Sequence, residues 1–358
     1  MSPNNNPQSK EPAENFTHHT IKPQQPTLLT FSGGIFDSKP PEYNLIVVRK
    51  ILFIIAGLTV ALAAKAQSDV QFSDFTRLKY YYNPGASGTD GLLNVAAAYS
   101  MPFVGFDDAP KTLYVGADIP VYFLNSHHGA GINLFSDDFG MFNQQKISIQ
   151  YAYNFNISKK TKLAIGAQFG MMQEKIDPSG VELEDGSDPA FPSSQVEGNH
   201  ADFGAGIYVF NPKFWGGISS LHLNAPTIVL NERYEFNIER MYYLMGGCNI
   251  KLKNTFLSLQ PSFMVMTDLD NWREDIQCRV NYEWNNKSMF IGAGYSPNVS
   301  ATLLVGGNFH GVSLCYSYQM YTSGINLVNG THELTLGYQA NLDLFKKGRN
   351  KHKSVRFL

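Results

Sequence analysis

The sequence predicts an all-β protein: a transmembrane, up-and-down antiparallel β-barrel of about fourteen strands. Three observations predict it. The first is alternation. In "HELTLGYQANLDLF" (residues 332–345) every second residue from Leu334 to Leu344 is apolar, and polar or small residues stand between them. A period of two is the mark of a strand with one apolar and one polar face. The second is composition. Charged residues are only 16% of the 358, aromatics are 13% and there are 31 glycines, against about 25% charged residues in ordinary soluble proteins. Mean hydropathy is −0.20, too polar for a bundle of membrane helices. The third is that short and long connections alternate along the chain.

The elements follow in order. Residues 1–46 are rich in Pro, Asn, Gln, Ser and Thr and show no period, as expected of a disordered or wrongly assigned N-terminal extension. Residues 47–66 read as a signal peptide. Arg49 and Lys50 precede the apolar run "ILFIIAGLTVALAA", and Ala64-x-Ala66 offers a cleavage site before Gln67. The run is short for a spanning helix, which needs about 20 apolar residues. A signal peptide this far into the chain suggests that translation starts later, at Val47 or Val48. Residues 67–345 are expected to form the barrel with a short periplasmic N-terminal lead. The lead, residues 67–88, could also fold inward as a plug. Residues 346–358 form a basic periplasmic tail.

Clear alternation marks strands at residues 147–157, 163–170, 257–265, 276–284, 313–320 and 334–344. Weaker alternation marks 92–101, 111–121, 129–142, 201–210, 214–223, 241–252, 288–295 and 299–309. Counted from the first, connections after even strands are short: "SKKT", "NPK", "KN", "NNK" and His310-Gly311. The two longest, residues 177–200 and 224–240, follow odd strands. Bacterial outer-membrane barrels have an even strand count, short periplasmic turns and longer outer loops. The short connections expected at residues 143–145 and 296–298 depart from this parity.

Energetics fixes the register. Slipping the last strand by one residue would turn Glu333, Gln339, Asn341 and Asp343 toward hydrocarbon. A base at the bilayer midplane costs roughly 2–4 kcal/mol and an acid less. Closure also satisfies every backbone group, which lipid demands.

Cys248, Cys278 and Cys315 are odd in number and widely spaced, which suits neither a disulfide framework nor a metal site. Alternation turns Cys248 and Cys278 to lipid and Cys315 to the lumen. They fall on the eighth, tenth and thirteenth strands, so three free thiols are expected. Asp137 and Asp138 should point to opposite faces. His127-His128 is expected at an exposed turn. His332 and Glu333 could pair at the strand end or sit at the water boundary. The loop 177–200 carries six acids and no Lys or Arg, consistent with a solvated outer loop or with a cation or basic partner. No G-x-S-x-G, H-E-x-x-H or P-loop is present, so an enzyme is not expected and no catalytic, cofactor or metal residue is assigned.

Four stretches in order carry a family resemblance: "VQFSDFTRLKYYYNPGASG" (70–88), "GAGINLFSDDFG" (129–140), "DFGAGIYVFNPKFWGGISSLHL" (202–223) and "YSYQMYTSGINLVNGTHELTLGY" (316–338). Together they resemble the PorP/SprF family of type IX secretion outer-membrane proteins. The matching motif positions are Asn83, Pro84, Gly129, Gly131, Asp137, Gly140, Gly204, Gly206, Ser323, Gly324, His332 and Glu333. Departures are Gln319, where the family often has an acid, Gly85-Ala86 after Asn-Pro, and the basic tail. The resemblance implies an outer-membrane location in a Gram-negative bacterium, no cofactor, and a part in protein secretion and gliding motility. Its implied partners are periplasmic ring lipoproteins, the outer-membrane translocon, a secreted cargo or surface adhesin, and outer-membrane lipid, with no nucleic acid. From the residues alone, a passive channel or hydrophobic-solute transporter is the alternative, and a barrel enzyme a weaker one.

Overall fold

The computed structural model describes residues 69–106, 108–180, 194–230, 234–253, 256–285, 287–322 and 329–341. The N-terminal extension, the signal peptide, the basic tail, Ser323, Gly324 and Leu342 to Phe345 therefore lie outside the described residues.

Before the first strand, a short helix α1 (Lys79–Tyr82) runs into a 3-10 turn (Pro84–Ala86). Strands β1 (Leu93–Met101), β2 (Lys111–Phe123), β3 (Ser126–Phe139), β4 (Phe142–Asn156), β5 (Lys162–Ile176), β6 (Val196–Phe210) and β7 (Phe214–Leu221) follow. A small hairpin, β8 (Thr227–Leu230) and β9 (Tyr234–Asn237), rises from the next connection as a separate two-stranded sheet. Then come β10 (Met241–Cys248), β11 (Ile250–Lys251), β12 (Leu257–Thr267), β13 (Trp272–Trp284), β14 (Lys287–Ser296), β15 (Ser300–Phe309), β16 (Val312–Tyr321) and β17 (Thr331–Ala340).

Each barrel strand pairs antiparallel with its sequence neighbour. β1 pairs with β17, and β10 bridges β7 to β12, so the ring closes. The main sheet has fifteen segments, but β10 and β11 are one strand interrupted at Asn249, which leaves fourteen staves. These match the fourteen expected strands one for one. No helix among the described residues is long and apolar enough to cross a membrane; this chain crosses with strands.

The alternation sorts the two faces as expected. On β17, Leu334, Leu336 and Tyr338 face outward and exposed, while Glu333 and Thr335 are buried inside. Their register partners on β1, Tyr99, Ala97 and Val95, share that outer face. The lumen is lined by buried Asn94, Ser100, Thr112, Ser148, Gln150, Gln168, Ser313 and Thr335. Cys278 lies on the outer face of β13, Cys315 is buried in the lumen, and all three cysteines are free.

Several boundaries differ from the sequence reading. β4 and β5 begin or end well beyond their clear alternation, because their ends leave the lipid band and carry polar residues on both faces. The outer turn expected at residues 143–145 is Gly140-Met141, with Gly140 at φ 57°. The next lies at residues 297–299. β17 starts at Thr331 and is followed to Ala340. The connection 224–240 is not all loop but holds the β8–β9 hairpin. His127 and His128 lie within β3 rather than at a turn. His128 is buried on the outer face, stacked on Phe123 and hydrogen-bonded through Nδ1 to the Tyr151 hydroxyl at 2.7 Å.

Candidate functional site: a plugged lumen

The N-terminal lead is not a periplasmic extension. Residues from Asp69 onward pass through the lumen and reach the wall only at β1. Phe72, Phe75, Leu78, Tyr80, Tyr81 and Tyr82 are all buried, and they form one cluster with Tyr114, Phe135, Tyr243, Met245 and Met264 of the inner wall. The reason is compositional. This segment carries six large apolar or aromatic residues in eleven, and the lumen takes them out of water. Burying each is worth about 1.5–3 kcal/mol. Tyr81 meets Tyr114 edge-on at 5.0 Å and Phe72 at 5.4 Å, the T-shaped geometry that ring quadrupoles favour.

In the first half of the plug, charge adds to this packing. The backbone N–H groups of Ser73 and Asp74 donate to the two Glu333 carboxylate oxygens at 2.8 and 3.1 Å. The Asp74 carboxylate accepts from Arg279 Nη2 at 2.7 Å and Arg77 Nε at 3.1 Å. Arg279 lies over the Phe290 ring, and Arg77 also donates to Ser313. At the loop end, Asp69 takes the Tyr243 hydroxyl at 2.6 Å and His222 Nε2 at 3.2 Å. His222 Nδ1 bonds Asp202 at 2.8 Å, and Lys146 pairs with the other Asp202 oxygen at 2.8 Å. Burial pushes the His222 imidazole toward neutrality, but Asp69 and Asp202 overcome it and raise its pKa to about 9. Burial likewise opposes ionisation of Asp69, yet His222 holds that carboxyl below its usual range.

The second half is held by close backbone fit. Pro84 starts the 3-10 turn, and Asn83 caps it by accepting from Gly85 N at 2.8 Å. The Asn83 amide donates to the carbonyls of Ile207 and Ile218 at 3.1 and 3.2 Å, two residues paired across β6 and β7. A Cβ on Gly206 would overlap Asn83 Oδ1, and one on Gly129 would overlap the Ser87 carbonyl; only glycine lets the plug this close. Ser87 donates to Gln150 Oε1 at 2.6 Å, Gln150 donates to the Tyr80 carbonyl at 2.8 Å, and Ser219 donates to the Tyr82 carbonyl at 2.7 Å. The Gly88 amide donates to Asp118 at 2.6 Å. Lys79 and Asp90 close the segment with an ion pair at 2.9 Å.

The motif positions therefore separate. Asn83, Pro84, Gly129, Gly206 and Glu333 converge on the plug, and Gly131 lies beside Ser87. Gly204 packs under Leu221. Asp137 accepts from Thr112 at 2.6 Å near the loop end, on the face opposite Asp138. His332 does not pair with Glu333: it points outward to the Tyr316 hydroxyl at 2.7 Å, whereas Glu333 faces the lumen and binds plug backbone rather than water. Asp69, Asp74, Arg77, His222 and Lys146 carried no sequence signal of their own. The one usable hint was an arginine in a lumen-facing slot of "IQCRVNYEW". Among the described residues no group of three or more His, Cys, Asp or Glu is placed to hold a metal ion.

Solved structures similar to this fold include the CymD monoaromatic hydrocarbon channel (9% identity, 77% of this chain and 95% of that chain, TM-score 0.42). A Pseudomonas aeruginosa FadL homologue (11%, 70% and 89%, 0.41) and the KdgM porin (7%, 68% and 98%, 0.33) are further examples. No curated protein sequence matches the chain. The sequence model of the type IX secretion system membrane protein PorP/SprF matches residues 64–338. That span holds the plug and all but the end of the barrel, and the chain belongs to the PorP/SprF family, as an outer-membrane β-barrel protein of type IX secretion.

Proposed function

We propose that this barrel assists the export or surface anchoring of a secreted protein, such as an adhesin, and acts through its two end surfaces rather than as an open pore. The observation that carries this reading is the plug: residues 69–90 occupy the lumen and are tied to its wall by ion pairs, amides and aromatic packing. In this reading the short-turn end faces the periplasm, where ring lipoproteins and the translocon are the partners, and the longer loops face the cargo outside.

Deletion of the gene followed by proteomics of the secreted and surface fractions tests the role. Loss of one or a few large surface proteins is expected; an unchanged secreted fraction would contradict it. Orientation is tested in a cysteine-free background with single cysteines at Lys159 and Asp270. An impermeant thiol reagent on intact cells should label Asp270→Cys only. Labelling of Lys159→Cys alone would reverse the topology.

A further inference from the structure

At the short-turn end the plug leaves part of the lumen unfilled. A cavity of about 330 Å³ lies between Thr76, Arg77, Lys79 and Tyr80 of the plug and the inner faces of β12 to β17 and β1. A second, of about 360 Å³, adjoins it and shares Thr76, Lys79, Asp90, Gln260 and Arg279. Four cations line the pair of cavities, Arg77, Lys79, Lys213 and Arg279, against one carboxylate, Asp90. Asp74 stands behind the wall of the cavities and is shared by both arginines, so one carboxylate partners two guanidinium groups. Arg279 contacts Asp74 and Gln277 through Nε and Nη2, and Arg77 contacts Asp74 and Ser313 through Nε and Nη1. Each guanidinium carries five N–H donors, so both keep donors for a further acceptor. A second, independent feature points the same way. Asn281, 8% exposed and lining the first cavity, has a side-chain nitrogen with no hydrogen-bond partner among the described residues. A buried donor left unpaired costs free energy, and an acceptor from a ligand would remove that cost.

We propose that this vestibule is a binding site for a carboxylate-bearing ligand that enters from the short-turn end, its carboxylate received by Arg77, Arg279 and Lys79 with the Asn281 amide as a further donor. Arginine forks match a carboxylate in geometry as well as charge. The same group is carried by a small dicarboxylate and by the free C-terminus of a peptide chain. The site stands on its own geometry and does not depend on the secretion role proposed above.

The test is calorimetric titration of the full barrel in detergent with three probes: succinate, a neutral tripeptide with a free C-terminus, and the same tripeptide amidated. Lys79→Gln and Asn281→Leu are the variants, with thermal unfolding measured on each to confirm a folded barrel. The expected result is saturable binding of succinate or the free-acid tripeptide, at least tenfold weaker for the amide. Binding should weaken severalfold in Asn281→Leu and tenfold or more in Lys79→Gln. Binding of succinate but not the peptide would identify the source as a small dicarboxylate, and the reverse a chain terminus. No binding of either acid, or equal binding in folded variants, overturns the proposal. Secretion can fail in a deletion strain while this titration succeeds, and the reverse, so the two readings are tested separately.

Discussion

The two halves of the plug are fixed by different physics. Residues 69–79 add carboxylate and cation contacts to their buried apolar side chains: Asp69 with His222, Asp74 with Arg77 and Arg279, and the Glu333 carboxyl on plug amides. Residues 80–88 are held by fit: glycines at Gly129 and Gly206, amide and hydroxyl partners at Asn83, Ser87, Gln150 and Ser219, and one carboxylate, Asp118. Fit does not respond to pH or salt, whereas ion pairs do. The first half therefore combines buried Phe72, Phe75 and Leu78 with contacts that a change of charge would weaken, whereas the second half rests mainly on fit.

The largest effect should come from spoiling the fit. Overpacking typically costs about 1–3 kcal/mol; Gly206→Leu should exceed that range, because even a Cβ at this position overlaps Asn83 and the rest of the leucine would go through the seat. The expected outcome is a sharp fall in folded barrel, read as heat-modifiable mobility on gels. Normal folding with protease-resistant residues 69–90 would mean that the seat is not tight.

A smaller effect is expected at the charged half. Glu333→Gln leaves a neutral group where two plug amides donate, so one of them faces a donor instead of an acceptor. An unsatisfied buried donor costs about 1–3 kcal/mol. Urea unfolding in detergent should show that loss with the barrel still formed and the plug more open to protease. A loss as large as that of Gly206→Leu would erase the distinction between the halves.

The most local effect is the pH response at His222. Its folded pKa of about 9 exceeds the unfolded value of 6.5. A raised pKa stabilises the fold fully below about pH 6.5, and that contribution is lost as pH rises through about 9. Asp69, Asp202, Lys146 and Tyr243 face or flank the imidazole, so the loss should loosen the first half of the plug rather than melt the barrel. Protease access to residues 69–79 should rise between pH 7 and pH 10 in wild type, and His222→Gln should flatten that rise. Equal pH dependence in both would remove His222 from the latch.

Much of the wall was legible in the sequence. Lipid on one side and a polar lumen on the other impose a period of two, and that pattern needs no partner to be read: "ISIQYAYNFNI" alone places Ile147, Ile149 and Tyr151 outside and Ser148, Gln150 and Ala152 inside. The plug was legible only as a motif. "KYYYNPGASG" has no period, and its meaning lies in residues more than a hundred positions away, such as Gly206 and Ile218 for Asn83. Glu333 shows the same limit. Alternation turned it inward, but nothing local says that its partners are the amides of Ser73 and Asp74.

The central claim, that the lumen is closed by its own N-terminal segment, is tested most directly by conductance in planar bilayers. Wild-type barrel should show little or no steady ion current. A variant lacking residues 70–88, with insertion confirmed by heat-modifiable mobility, should show stable open channels, because fourteen staves leave room for water once the plug is gone. A wild-type barrel that conducts as well as the deletion variant would contradict the account.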